Sequence, residues 1–450
     1  MTLIFDIGKT NKKAFLFDKA YQEVYRKYAR FEELTDADGF PCDDLSAIEQ
    51  WIKKTIQTIF KSGKHEVNAI NFSTYGASFI HLGRDGKPLT PIYNYLKSIP
   101  QKYLQEFYYK YGHELNIAQE TASPPLGMLN SGLQLYWLKY AQPDLFSQIW
   151  YSLHFPQYLS YLLTGIPVSE YTSIGCHTAL WNFAKKDYHD WVYAEGIDKI
   201  LPPIISTATS INTKVVGKKV QVGVGIHDSS AALLPYLKTG KKPFLLISTG
   251  TWSISLNPFN QESLTETDLK EDCLNFMQLD GQPVKAARLF LGAEYKHQVN
   301  LLQSFFNQSA TAHKQVAFNS KIAKGIAKKG NYYFNFEYLK TPWQQPKVSQ
   351  LEQLADFEVA YHQLLWELVE LQIAKMDLAI GKTTINKIFI DGGFADNEVY
   401  VKFLARHFKK VKIRLTQSPL GSALGAAMVI TDEKLKKKFL KKNYALRKVD

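Results

Sequence analysis

Residues 226–230 read Ile-His-Asp-Ser-Ser and follow a glycine-spaced apolar run, Val222-Gly223-Val224-Gly225. A carboxylate at the end of such a strand, with small residues after it, stands where the backbone turns sharply and a ligand can come close. Asp228 is therefore a candidate site carboxylate, although a Gly-x-Gly before a polar turn is also an ordinary strand end. A second acid, Asp6, opens the turn Asp6-Ile7-Gly8-Lys9-Thr10-Asn11 between two apolar runs. Gly8, backbone N–H groups, the Thr10 hydroxyl, the Asn11 amide and the lysines suit phosphate oxygens, and Asp6 points a carboxylate at the same place. A metal-bridged phosphate fits there; so does a polar hairpin turn that holds nothing.

Two further stretches offer binding chemistry. Ser73-Thr74-Tyr75-Gly76-Ala77-Ser78 ends a strand in hydroxyls and an aromatic ring, a loop able to hydrogen-bond and stack against a sugar, or a plain strand turn. Asp391-Gly392-Gly393-Phe394-Ala395-Asp396-Asn397 joins a strand to a helix through a double glycine, a surface where a flat ring can lie against backbone.

The elements that must hold these residues are legible from periodicity. Thr2–Phe5 and Ala14–Phe17 predict a β-hairpin, Asn68–Phe72 a strand, and Leu45, Ile48, Ile52, Ile56 and Ile59 a helix over 45–60. Residues 100–165 carry aromatics at helical intervals, which predict core packing. After Lys238-Thr239-Gly240-Lys241-Lys242-Pro243, taken as an interdomain crossing, the opening theme returns: Phe244–Ile247 as a strand, Ser248-Thr249-Gly250-Thr251 as a turn, Trp252–Leu256 as a strand. The repetition predicts two related halves whose paired hairpins grip a polyphosphate across a cleft. Phe357–Leu378 reads as an amphipathic helix, Ser418–Ala427 as the start of a small-residue helix that packs closely on a sheet, and Lys434–Lys448 as a basic, solvated helix.

A chain of 450 residues calls for two large domains. Hydrophobic residues at 45% and charged residues at 21% exclude extensive disorder. The formal charge of +12 suits an anionic substrate as well as nucleic acid, but no nucleic-acid-reading motif accompanies it. Three scattered cysteines exclude a cysteine-rich zinc site and match a reducing cytoplasm, and no run approaches the length of a membrane span. Gly8-Lys9-Thr10 and Gly381-Lys382-Thr383 suggest a P-loop, but Leu3 and Met376 stand where that motif needs its first glycine.

Taken in order, DIGKTNKK, STYGAS with DGKPLTP, GIHDSSAAL, STGTWSI, DGGFADN and SPLGSALGAA resemble the FGGY carbohydrate kinases of the actin-like ATPase superfamily, over residues 2 to about 430. The His-Asp-Ser and Ser-Thr-Gly-Thr-Trp versions are most similar to the rhamnulokinase and fuculokinase branch. The resemblance implies an α/β fold of two actin-like (ribonuclease H-like) domains, mixed sheets flanked by helices, divided as 1–240 and 241–450 about a cleft. It implies ATP and Mg2+ as cofactors, a small sugar as partner, no nucleic acid or membrane partner, and a cytoplasmic enzyme, with a homodimer as the expected assembly. Asp228 matches the general base, Asp6 the magnesium acid, and Gly8, Thr10, Asn11 and Lys13 the first phosphate loop. Thr249, Gly250 and Thr251 match the second loop, and Gly392, Gly393 and Asn397 the adenosine motif. Tyr75, Ala77, Ser78 and His227 fall with Asp228 on the sugar side, where the rhamnulokinase-like pattern has a tryptophan and an acid in place of Tyr75 and Ser78. His227 either orients the sugar, tunes Asp228 or serves the structure. The implied reaction is phosphorylation of a sugar hydroxyl, of L-rhamnulose or L-fuculose first. The alternatives are a kinase for xylulose, ribulose, gluconate or glycerol, and a regulator that binds ligand without turnover.

Overall fold

The computed structural model describes residues 1–240, 242–417, 420–431, 435 and 439–449. The first half is built on a seven-stranded sheet: β1 (Thr2–Ile7), β2 (Lys12–Phe17), β3 (Glu23–Ala29), β4 (Ala69–Thr74), β5 (Ser210–Val215), β6 (Lys218–Gly223) and β7 (Ile226–His227). Their order is β5-β6-β4-β1-β2-β3, with β7 also on β4; β1 runs antiparallel to β2 and parallel to β4. Because side chains alternate along a strand, β1 serves two cores. Leu3, Phe5 and Ile7 share one with Ile48, Ile52 and Ile56 of α1 (Leu45–Ser62), which Asp44 caps and left-handed Gly63 ends. Ile4 faces the other way, and by the same alternation so does Asp6.

Residues 100–200 form a helical layer around an aromatic core in which Phe107 meets Trp191 edge-on at 5.1 Å. The polypeptide then returns through β5 and β6 to α2 (Asp228–Thr239).

The second half repeats the plan. Its sheet holds β8 (Phe244–Thr249), β9 (Ser253–Asn257), β10 (Cys273–Met277), β11 (Pro283–Leu289), β12 (Lys387–Gly392), β13 (Lys412–Thr416) and β14 (Arg447–Lys448), in the order β10-β11-β9-β8-β12-β13-β14. The run β3-β2-β1-β4 and the run β11-β9-β8-β12 share one pattern of antiparallel, antiparallel, parallel. Helices α3 (Leu291–Phe305), α4 (Phe357–Ile380) and α5 (Glu398–His407) pack with this sheet.

The halves meet through α2 and α6 (Gly421–Val429). A Cβ on Gly425 would lie 1.7 Å from the Ala231 carbonyl oxygen, so the two helices cross at backbone contact and a glycine is required there. Asn71 of β4 fastens the crossing: its amide donates to the Ala426 carbonyl at 2.8 Å and its oxygen accepts from the Gly225 amide at 3.0 Å. One core consequently contains Ile4 and Ile226 together with Leu246, Phe389 and Leu424.

Two expectations change. Helix α4 is not amphipathic, since every residue from Ala360 to Leu365 is buried; α3, α5 and β11 surround it, and its polar side chains satisfy backbone amides, as Glu367 does for Tyr333 at 2.8 Å. The C-terminal segment is not one basic helix: Phe439–Asn443 is helical, Tyr444 is buried beside Tyr236, and Arg447–Lys448 pair with β13. Lys241, Ser418, Pro419 and residues 432–434 and 436–438 fall outside the described residues.

Candidate functional site

Asp6 and Lys13 are directly opposed in the β1–β2 register, and Ser73 stands beside Asp6 on β4. The Lys13 ammonium lies 3.8 Å from the Asp6 carboxylate, which also accepts a 2.5 Å hydrogen bond from the Ser422 hydroxyl at the start of α6. Burial nonetheless outweighs Ser422 and Lys13, and the Asp6 pKa is pushed up to about 6. Lys13 keeps about a third of its side chain exposed, and Thr10 is exposed. Gly8 closes the turn by donating to the Asn11 carbonyl at 3.0 Å, while Arg30 donates to the Asn11 side-chain oxygen at 2.7 Å.

The other lysines of the turn point elsewhere. Lys9 and Lys12 both bind Asp43, at 2.7 and 2.8 Å, and the Tyr75 hydroxyl donates to the same carboxylate at 2.7 Å. Burial would raise the Asp43 carboxyl, but Lys12 and Lys9 hold it below the usual range. A buried ionic hub thus ties the first turn to the loop at Tyr75. A lone aspartate ahead of a helix carries no sequence signal for such a role.

Asp228 is the first residue of α2, where the helix dipole favours a negative charge. Its side chain is 36% exposed, yet desolvation lifts its pKa to about 6 against the Ser229 hydroxyl and amide. It also contributes to the raised pKa of Asp6. His227 Nε2 lies 3.2 Å from Asp228 Oδ1, and burial depresses the imidazole to about 3, so it is neutral.

In the loop 73–78, Gly76 sits on Cys176 and His227: a Cβ there would be 2.4 Å from the Cys176 sulfur and 3.2 Å from the imidazole. Ala77 takes a positive φ of 57° and its carbonyl accepts from the Gln134 amide at 2.9 Å. Tyr75 and Ser78 are buried, with the Tyr75 ring against Phe155 at 5.3 Å. His227, Asp228 and the loop backbone come together, whereas the Tyr75 hydroxyl is directed to Asp43.

In the second half, the Thr249 hydroxyl donates to the Asp391 carbonyl at 2.6 Å and accepts from the Phe394 amide at 3.1 Å. Gly392 has φ of 92° and a Cβ would fall 1.9 Å from the Thr249 carbonyl oxygen, so the two strand ends touch only because it is glycine. Gly250 and Thr251 form the following turn, where the Thr251 carbonyl accepts from Gly292 at 3.0 Å. Beyond it opens a cavity of about 750 Å³ lined by Gly250, Gly292, Tyr295, Tyr361, Gly393 and Asn397 among others. Asn397 caps α5 through Tyr400 and donates to the Tyr361 hydroxyl at 2.9 Å. Gly292, Tyr295, Tyr361 and Ser422 escaped the sequence reading. They come from helices far apart in the chain, and only Ser422 lay in a motif, where it read as packing.

No group of three or more His, Cys, Asp or Glu able to hold a metal occurs among the described residues. A single carboxylate, Asp6, with hydroxyls beside it fits magnesium, which keeps several waters and takes its other ligands from phosphate.

The chain matches the N-terminal domain of the FGGY family of carbohydrate kinases over residues 1–234 and the C-terminal domain of carbohydrate kinase FGGY over 241–438. It is 27% identical over 257 residues to a rhamnulokinase of Halalkalibacterium halodurans, covering 55% of this chain and 52% of the relative. It is 26% identical over 234 residues to one of Oceanobacillus iheyensis, covering 50% and 49%. The chain spans about half the length of the curated relatives it matches. Its fold is similar to a carbohydrate kinase from Novosphingobium aromaticivorans (TM-score 0.81, 23% identity, 100% of this chain and 94% of the other). A xylulose kinase from Lactobacillus acidophilus is similar too (TM-score 0.79, 15% identity, 100% and 93%). With both family domains matched in order, this chain belongs to the FGGY family of carbohydrate kinases.

Proposed function

We propose that the protein transfers the γ-phosphoryl group of ATP to a sugar hydroxyl, with residues 1–240 forming the sugar side and 241–450 the adenosine side. Asp228 carries this reading: a partly open carboxylate with a pKa near 6, at a helix start, within electrostatic reach of Asp6. A base with that pKa is ionised at neutral pH and still accepts a proton readily. Asp228 takes the hydroxyl proton as the sugar oxygen attacks. Lys13 and the amides of the turn at Gly8 to Asn11 hold the transferring phosphoryl group, and those at Thr249 to Thr251 the phosphates behind it. Adenosine occupies the cavity beside Gly393, Asn397 and Tyr361. Magnesium on Asp6 would supply charge neutralisation at the phosphates when bound.

For the acceptor, we favour a 6-deoxy-L-ketose, L-rhamnulose or L-fuculose. The His227-Asp228-Ser229 pattern and relatives named rhamnulokinase, at 26–27% identity, support it. The test is Mg-dependent ADP release from ATP with L-rhamnulose, L-fuculose, L- and D-ribulose, D-xylulose, gluconate and glycerol. Stimulation by the first two supports the reading. Stimulation by another sugar replaces the substrate, and ATP binding without turnover on any sugar favours a ligand-binding regulator.

A further inference from the structure

Behind Asp228 lies a row of buried groups whose proton positions follow from chemistry alone. His177 Nδ1 is 3.0 Å from the Leu129 carbonyl oxygen, which can only accept, so Nδ1 carries the proton. Burial keeps His177 neutral by depressing it to about 3, and its Nε2 is consequently a bare acceptor. The Cys176 sulfur lies 3.3 Å from that nitrogen and 3.1 Å from His227 Nε2. Burial also holds the thiol well above its ordinary pKa, so it keeps its hydrogen. Among the described residues the S–H is the proton that faces His177 Nε2, and the sulfur lone pairs are left facing His227. His227 Nε2 also stands 3.2 Å from Asp228 Oδ1, an acceptor when ionised. A bare Nε2 would meet lone pairs on both sides; a protonated one donates to the sulfur and turns its N–H dipole toward the carboxylate.

We propose that Cys176 and His177 are positioning residues which, through this row, hold His227 as its Nε2–H tautomer and thereby orient Asp228. The direction of donation runs from Cys176 to His177 to the Leu129 carbonyl, and from His227 to Cys176, with the same N–H facing Asp228 Oδ1 at 3.2 Å. With Oδ1 facing His227 and accepting from the Ser229 hydroxyl at 3.2 Å, Oδ2 is the oxygen left to take the proton of the incoming hydroxyl. Among the described residues Nδ1 of His227 is buried without a hydrogen-bond partner, so no opposing hydrogen bond selects the other tautomer. The sugar-side loop rests on the same row through Gly76, so the row sets the loop and the carboxylate together. The catalytic part of this inference rests on the proposed role of Asp228; the tautomers do not.

Long-range proton–nitrogen correlation spectra of the 15N-labelled full-length protein read the tautomers directly, without substrate. The expected result is opposite tautomers on neighbouring rings: His227 protonated at Nε2 and bare at Nδ1, His177 protonated at Nδ1 and bare at Nε2. His227 protonated at Nδ1, or His177 at Nε2, overturns the row. Cys176→Ala should make the His227 signals average between tautomers and lower kcat on the order of 10-fold while KM for ATP stays unchanged. Cys176→Ser, which keeps a donor and an acceptor, should restore a single Nε2–H tautomer and most of kcat. If Cys176→Ala leaves both the His227 tautomer and kcat as in the wild type, the positioning role fails. Failure of every sugar to turn over would remove the base reading alone, because the tautomers are read without it.

Discussion

Asp6 and Lys13 stand directly opposite one another on adjacent antiparallel strands, carboxylate to ammonium at 3.8 Å, with Lys13 still open to solvent. The neighbouring pair, Ile7 and Lys12, faces the opposite side of the sheet, where Lys12 is buried on Asp43. One residue of register thus separates a lysine free to meet a phosphate from one locked in the fold. Lys13→Met should lower kcat/KM for ATP on the order of 10²-fold, as for loss of one charge-stabilising donor. Lys12→Met should instead lower the melting temperature, because it leaves Asp43 buried with less compensation. Steady-state kinetics and thermal unfolding of the two variants separate the roles; equal kinetic losses would contradict it.

Acid should silence the enzyme through two groups. Asp6 and Asp228 each have pKa values raised from 3.8 to about 6 by burial. Both must be ionised in the mechanism above, so log kcat/KM should fall below about pH 6 with a slope steeper than one. A profile that stays flat to pH 5 would exclude both assignments.

Asp228→Asn should trade activity for stability. A carboxylate whose folded pKa is raised destabilises the fold when ionised, so its cost is absent below about pH 4 and complete above about pH 6. The asparagine variant should be more stable than wild type at pH 8 by on the order of 1 kcal/mol, after discounting for the side chain's opening to solvent, and no more stable at about pH 3.5. Its turnover should drop by roughly 10²-fold or more. Urea unfolding at the two pH values reads the first effect; a stability gain of equal size at both would not fit a titrating group.

Tyr75→Phe keeps the ring against Phe155 and removes only the hydrogen bond to Asp43. The expected cost is about 1 kcal/mol of stability, with sugar KM changed by less than about threefold because that hydroxyl does not face the site. A large rise in sugar KM with unchanged stability would place the hydroxyl on the substrate instead.

Gly425→Ala puts a methyl group 1.7 Å from the Ala231 carbonyl oxygen, at the crossing of α2 and α6. The helices must separate, which displaces Asp228 and Ser422 at their two starts. We expect a loss of roughly 1–3 kcal/mol together with most activity, measured by calorimetry and turnover. A variant with wild-type melting and kinetics would show that the crossing is not tight.

The residue types at Asp6, Asp228, Gly392 and Asn397, and the repeated strand, turn, strand at residues 2–17 and 244–256, were legible in the sequence because strand periodicity and turn chemistry are local. Helix α1 was legible for the same reason. Tertiary packing alone decided the rest. Helix α4 carries an apolar stripe, yet neighbours on all sides bury it, and no periodicity records how many partners a helix will have. Tyr75 and Lys12 have the chemistry of ligand contacts, but strand alternation and a distant aspartate turn them into the protein. Ser422 reaches Asp6 across 416 residues. Cys176 lies between two imidazoles because separate segments converge, and such convergence leaves no mark on the spacing of residues along the chain.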